Sequence, residues 1–214
     1  MISRKLPALF ISFFCVLGLP SAYVSAAEFA VLVVDQQGMP VANVVVESPG
    51  AAVTEASSEI AIIDQVNKRF VPMVVAIQKG QSVNFPNNDN IRHHVYSFSA
   101  IKQFSTELYA DTPGEPVTFD QSGIAVLGCN IHDSMVGYIY VSEWQNFAVS
   151  DASGLVRFNQ SAIPEQIVIW HPWSTDKDNR REVSTASVNE GGTLEVQLNI
   201  NNPERVFGFR ALRD

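Results

Sequence analysis

Disulfide bonding is excluded first, because cysteine is scarce. The sequence holds two cysteines, and Cys15 lies in a stretch that reads as a removable leader. Cys129 would then stand alone in the mature protein, with no partner for an internal bridge. Basic residues are also few, 14 Lys and Arg against 22 Asp and Glu, for a net charge of -8. Losing Arg4 and Lys5 with the leader leaves 12 against 22, or -10. That balance argues against nucleic acid or anionic lipid as a partner. A spanning segment is lacking too. The apolar run from Leu6 to Leu19 falls short of the ~20 residues a transmembrane helix needs. With Arg4 and Lys5 before it, Pro20 and Ser21 after it and a Val24-Ser25-Ala26 cleavage site, it reads as a secretory signal over residues 1–26. The small residues of a lipoprotein site are absent around Cys15. The mature chain is therefore expected to be periplasmic or secreted, with no membrane span.

No window carries a long amphipathic helix, an internal repeat or a low-complexity tract. What the chain does carry is a series of short apolar, β-branched runs separated by Gly, Pro and Asn. They include Phe29–Val34, Val41–Val46, Met73–Ile77, Ser82–Phe85, Val95–Phe98, Ile124–Leu127, Val136–Val141, Leu155–Phe158, Gln166–Trp170 and Thr193–Ile200. Many short strands with such turns predict an all-β protein built as a β-sandwich. Ser48–Ser58, rich in Ser, Ala, Pro and Gly, marks a boundary. The polar Ser174–Gly192 stretch is expected to be a long surface loop.

One short loop concentrates the chemistry. Cys129-Asn130-Ile131-His132-Asp133-Ser134-Met135 puts a thiolate, an imidazole and a thioether within seven residues. Those are ligand types of a mononuclear blue-copper site, which also needs a second histidine. Asn87-Asn88-Asp89-Asn90-Ile91-Arg92-His93-His94 offers two candidates. In a strand these neighbours point to opposite faces, so one of them, not both, would meet the metal. A lone thiol in an oxidising compartment is a hazard unless it is buried or metal-bound. Zinc suits this set less well, because it favours tetrahedral sites without thioether.

Residues from about Ile60 to Val141 resemble a cupredoxin, the plastocyanin and amicyanin fold. The resemblance rests on the Pro72–Phe85 stretch with its Lys79-Gly80 turn, on the Asn-rich turn leading to a His at the head of a strand, and on Gly128–Val141 with its Met135-Val136-Gly137 step. It implies a Greek-key sandwich and one type 1 copper, held by His93, Cys129, His132 and a weak axial Met135. It also implies that His132 is the electron's exit. His94 falls where the family usually has Asn. The family's bond between the two ligand loops would here join His94 to Asn130. The short ligand loop is most like that of amicyanin, but Asp133 stands where Pro is common, and Arg92 and Ser134 add to a polar rim.

The whole chain has four histidines, His93, His94, His132 and His171, with no His-x-His motif. A multicopper oxidase needs many more, and a binuclear copper site would need a second Cys in the ligand loop. The implied function is single-electron transfer rather than catalysis. Its partner would be a redox protein such as a c-type cytochrome or a periplasmic dehydrogenase. Copper delivery is an alternative reading, although after Met1 only Met39, Met73 and Met135 remain and no Met-rich tract occurs. An adhesion or scaffold module is another.

The flanks carry a separate resemblance. Val34–Val46, with its Gln36-Gln37-Gly38-Met39-Pro40 turn, resembles the opening hairpin of carboxypeptidase-regulatory-like domains, which are small transthyretin-like sandwiches. Ser150-Asp151-Ala152-Ser153-Gly154 followed by Phe158 resembles their next turn. The expected organisation is a split sandwich of residues 27–50 and 144–214 around a cupredoxin domain of 51–143. The rival is a single enlarged cupredoxin. His171, in Trp170-His171-Pro172-Trp173, reads as a packed strand end bonded to backbone.

Overall fold

A computed structural model describes residues 27–160 and 162–201. The leader over residues 1–26, with Cys15, lies outside them. The described residues are all-β, with one 3-10 turn at Lys177–Asn179. None of their helices is long and apolar enough to cross a membrane.

The strands run in chain order as follows. The first two are β1 (Ala27–Val34) and β2 (Val45–Ala52). Then come β3 (Ala61–Ile62), β4 (Asp64–Val66), β5 (Arg69–Val71), β6 (Val74–Gln78), β7 (Ser82–Asn84), β8 (Val95–Ser99), β9 (Lys102–Ser105), β10 (Val117–Thr118), β11 (Gly123–Cys129) and β12 (Val136–Ser142). The last are β13 (Trp144–Val149), β14 (Leu155–Gln160), β15 (Gln166–Trp170), β16 (Arg180–Ser184) and β17 (Thr193–Gln197).

Pairing separates these strands into two groups. A five-stranded sheet of order β6-β12-β11-β8-β9 and a three-stranded sheet of order β10-β7-β3 bury their inner residues in one core. That core includes Ile63, Phe85, Phe119, Leu127 and Ile139. A second core, around Phe29, Val31, Val46, Ile167, Ile169 and Leu194, lies between the sheets β14-β1-β17 and β13-β2-β15-β16. On this pairing we propose that the outer segments form a sandwich of their own, with the middle of the chain inserted into it.

The two turn motifs of the flanks meet, although more than a hundred residues separate them in sequence. Asp35 Oδ1 accepts the N–H groups of Gln37 and Met39, shaping the first turn. Asp151 Oδ1 accepts those of Ser153 and Leu155, shaping the second. Val33 N–H then donates to the Gly154 carbonyl. A side chain at Gly154 would place its Cβ 2.4 Å from the Val33 oxygen, and φ is +74° there, so the close approach requires glycine.

Several sequence expectations need correction. The strand expected over Val41–Val46 begins at Val45 and runs to Ala52, into the stretch read as a boundary. There it is held by pairing with β13, a cross-strand constraint that local composition does not report. Ser174–Gly192 is not a single loop, since it contains β16, which pairs with β15 at the sheet edge. An edge strand with one wet face can be as polar as Arg180-Arg181-Glu182 and still form a ladder. The β4–β5 hairpin and β9 carry too few apolar residues to stand out.

The two cores touch at a third cluster. Trp170 of β15 packs against Tyr138 and Tyr140 of β12, with ring centroids 5.8 Å away in both cases. Val45 and Val74 join them. Beside these rings the buried Glu47 carboxylate accepts hydrogen bonds from Tyr140 Oη at 2.9 Å and from Ser142 Oγ, with Arg180 Nη2 3.6 Å away. Burial, reinforced by the Glu47 charge, raises the Tyr140 pKa.

His171 is buried, accepts a hydrogen bond from Trp173 N–H at Nδ1, and meets the Trp173 ring edge-on. Desolvation pushes its pKa from 6.5 down to about 4. Below pH 6.5 the unfolded chain binds this proton and the folded chain does not, until about pH 4. Stability therefore falls as the pH drops through that window. Urea unfolding of the full chain is expected to lose roughly 2–3 kcal/mol more between pH 7 and 4.5 than that of His171→Asn, which has no such proton to take up.

Candidate metal centre

The site sits at the end of the five-stranded sheet, and strand parity builds it. Along β11, Ala125, Leu127 and Cys129 face the core while Val126 faces out. Cys129 is opposite Val95, and Gly128 opposite Tyr96, on antiparallel β8. Gly128 leaves room for the Tyr96 ring, since a Cβ there would sit 2.5 Å from it unless the ring moved. His93 precedes Val95 by two residues and so shares its inward face. It is fully buried, whereas His94 turns the other way and is half-buried.

A hydrogen-bonded frame holds the His93 loop. His93 and Tyr109 exchange backbone N–H···O bonds, 3.0 Å in each direction. Asn87, itself buried, accepts from Asp89 N–H and donates through Nδ2 to the carbonyls of Ile91 and Tyr109. Tyr109 Oη donates to the Phe85 carbonyl, and burial raises its pKa to about 12. The Asn-rich turn is thus fixed by side chains substituting for absent backbone partners.

The second loop is a tight turn in which Met135 N–H donates to the His132 carbonyl at 2.9 Å. This returns Met135 to the core, where it is 1% exposed and belongs to the same cluster as Cys129. His132 is half-buried near the surface. Its Nδ1 is buried and has no hydrogen-bond partner.

His93, Cys129 and His132 converge. One ligand atom from each lies within 4.8 Å of the others. His93 Nδ1 is 3.5 Å from Cys129 Sγ, and the two imidazole rings are 5.4 Å apart and inclined at 54°. The unpartnered Nδ1 of His132 is the kind of buried lone pair that a metal would satisfy. A thiolate and two imidazoles, with the Met135 thioether in the same buried cluster as Cys129, fit copper by ligand softness. His94 is outside this group. The expected bond between His94 and Asn130 is replaced, because His94 Nε2 meets Ser105 Oγ at 2.9 Å and Asn130 is exposed.

Sequence reasoning missed Asp89. Its Oδ2 lies 3.0 Å from His93 Nε2 and also accepts Lys68 N–H at 2.7 Å. The His93 hydrogen bond, followed by that from Lys68, holds the carboxyl below the usual carboxylate range. The only signal in the sequence was an acid four residues before the histidine, within a turn whose residues are mostly polar.

Its structural neighbours are cupredoxins. A purple cupredoxin from Nitrosopumilus maritimus is 22% identical, with 38% of this chain and 99% of that chain covered and a TM-score of 0.36. Amicyanin from Paracoccus versutus is 17% identical over 45% of this chain and 97% of that one, with a TM-score of 0.36. A copper-containing nitrite reductase from Thermus scotoductus is 24% identical over 45% of this chain, which spans only 25% of that protein, with a TM-score of 0.38. No family model and no curated protein matches the chain. These likenesses cover less than half of the chain, and the functional reading stands on the residues themselves.

Asn87→Ala tests the frame. Leaving two carbonyls and one N–H without their partner is expected to cost roughly 1–3 kcal/mol in thermal or urea unfolding. It should also weaken metal uptake, because the His93 loop loosens.

Proposed function

We propose that the protein is a periplasmic or secreted type 1 copper protein that carries single electrons between redox partners and is not itself an enzyme. The observation that carries this reading is the convergence of a buried thiol and two imidazoles within 4.8 Å, from two loops far apart in sequence. His93, Cys129 and His132 would hold the metal, with the Met135 thioether as a weaker further donor. Bound there, copper supplies a one-electron couple. The chain's own part is to hold the donors still and to keep water away from them. His93 and Met135 are sealed in the core, and backbone hydrogen bonds fix both of their loops.

His132 is the ligand nearest to solvent, so electrons would cross there to a docked partner such as a c-type cytochrome or a dehydrogenase. The rim around it mixes exposed Arg92, Asn130, Asp133 and Ser134 with Ile131, which is 47% exposed. Such a rim fits a transient partner better than a permanent apolar interface.

The test is Cu(II) titration of the metal-free mature chain. An intense thiolate-to-copper band with narrow EPR hyperfine splitting is expected for the wild type and for His94→Ala. It should be lost in Cys129→Ala and His93→Ala. Copper at a thousandfold excess over its Kd should stabilise the fold by about 4 kcal/mol. A pale, ordinary Cu(II) spectrum in the wild type would overturn the proposal.

A further inference from the structure

His93 uses both of its ring nitrogens, and one of them meets a carboxylate. Nδ1 faces Cys129 Sγ at 3.5 Å, and Nε2 faces Asp89 Oδ2 at 3.0 Å. The Asp89 side chain is 8% exposed. Both carboxylate oxygens are further engaged, since Oδ2 also takes Lys68 N–H and Oδ1 takes Asn90 N–H. Asp89 N–H in turn donates to Asn87 Oδ1 at 3.0 Å, so the carboxylate sits on a fixed backbone. The Lys68 donor comes from the turn of the β4–β5 hairpin, where Asn67 and Lys68 both have positive φ. Asp89 is therefore locked in place both by its own loop and by the β4–β5 turn.

An ionised carboxylate only accepts hydrogen bonds. The hydrogen of a neutral His93 imidazole must then reside on Nε2, which leaves the Nδ1 lone pair directed at Cys129. A negative charge behind a ligating imidazole also makes it a stronger donor. A stronger donor beside an anion favours the more highly charged state of the metal.

We infer that Asp89 is the positioning residue of the metal centre, fixing His93 in its Nε2–H tautomer and biasing the bound metal toward its oxidised state. The first half concerns the chain alone. The second rests on the copper reading above.

The two halves separate experimentally. Two-bond 15N–1H correlation spectra of the metal-free, full mature chain report the tautomer directly. Nε2–H is expected at His93 in the wild type and in Asp89→Asn, whose amide oxygen can still accept. In Asp89→Ala the two tautomers should mix. Nδ1–H in the wild type would overturn the inference. In the copper-loaded protein, Asp89→Asn should keep the thiolate band, because the ring stays in place without the charge. Its Cu(II)-to-Cu(I) affinity ratio should fall about tenfold, which raises a one-electron potential by about 59 mV. An unchanged potential would overturn the charge effect. If the wild type gave no thiolate band, the copper reading would fall, and the tautomer spectra would still decide the role of Asp89.

Discussion

The register between β8 and β11 is the constraint on which the centre depends. Cys129 opposite Val95 sets both strands so that alternate residues face one core. Cys129 closes the inward series Ala125, Leu127, Cys129, and His93 extends the inward series of Val95 and Ser97. A slip of one residue in β11 would turn the thiol to solvent, and one in β8 would bring His94 inward in place of His93. Apolar burial enforces the register, because the first slip would expose Leu127 and the second Val95. The core and the metal loops thus obey one parity rule, and the chemistry sits where the sheet ends.

This explains what the sequence made legible. The Cys129–Met135 loop is contiguous, so its donors can be read directly, and the turn closed by Met135 N–H and the His132 carbonyl keeps them together. Alternation, a strictly local property, keeps His93 and His94 from sharing one metal, and the family resemblance points to His93. Most strands of the half that carries His93 and Cys129 show the same local pattern. What could not be read depends on contacts distant in sequence. Asp89 becomes meaningful only when Lys68 and His93 lie on either side of it. The edge strand β16 exists because β15 offers it a ladder, and not because Arg180-Arg181-Glu182 favours extension. The His94 partner was misjudged for the same reason, since Ser105 comes from β9, a strand too polar to notice.

The flanking segments act on the same sheet from its other face. Tyr138 and Tyr140 point away from the metal core and lie against Trp170, so β12 is apolar on both faces near the seam. Further along that outer face, Phe98 and Val126 remain 77% and 44% exposed. The flanking strands therefore cover part of the sheet rather than enclosing it. Glu47 makes the seam directional as well as apolar. Its carboxylate is buried at 2% exposure, and the hydroxyls of Tyr140 and Ser142 compensate it from across the seam. A misaligned seam would leave that charge without its donors, a penalty of several kcal/mol that apolar contact alone would not impose.

Rigidity and access pull against each other in a centre of this kind, and the three convergent side chains divide the two demands. His93 is deepest, clasped by Tyr109 through two backbone bonds and by Asp89 through its ring. Cys129 is fixed by its strand. Neither can shift far without breaking the sheet or leaving buried polar groups unpaired. His132 lies outside both restraints, half-buried and with its Nδ1 unpartnered. A metal would supply the missing partner and hold that ring from within. The ligand that the fold restrains least is thus the one a metal would restrain most, and it is also the one that reaches the surface. Electron exchange at that edge would then need no movement of the buried donors.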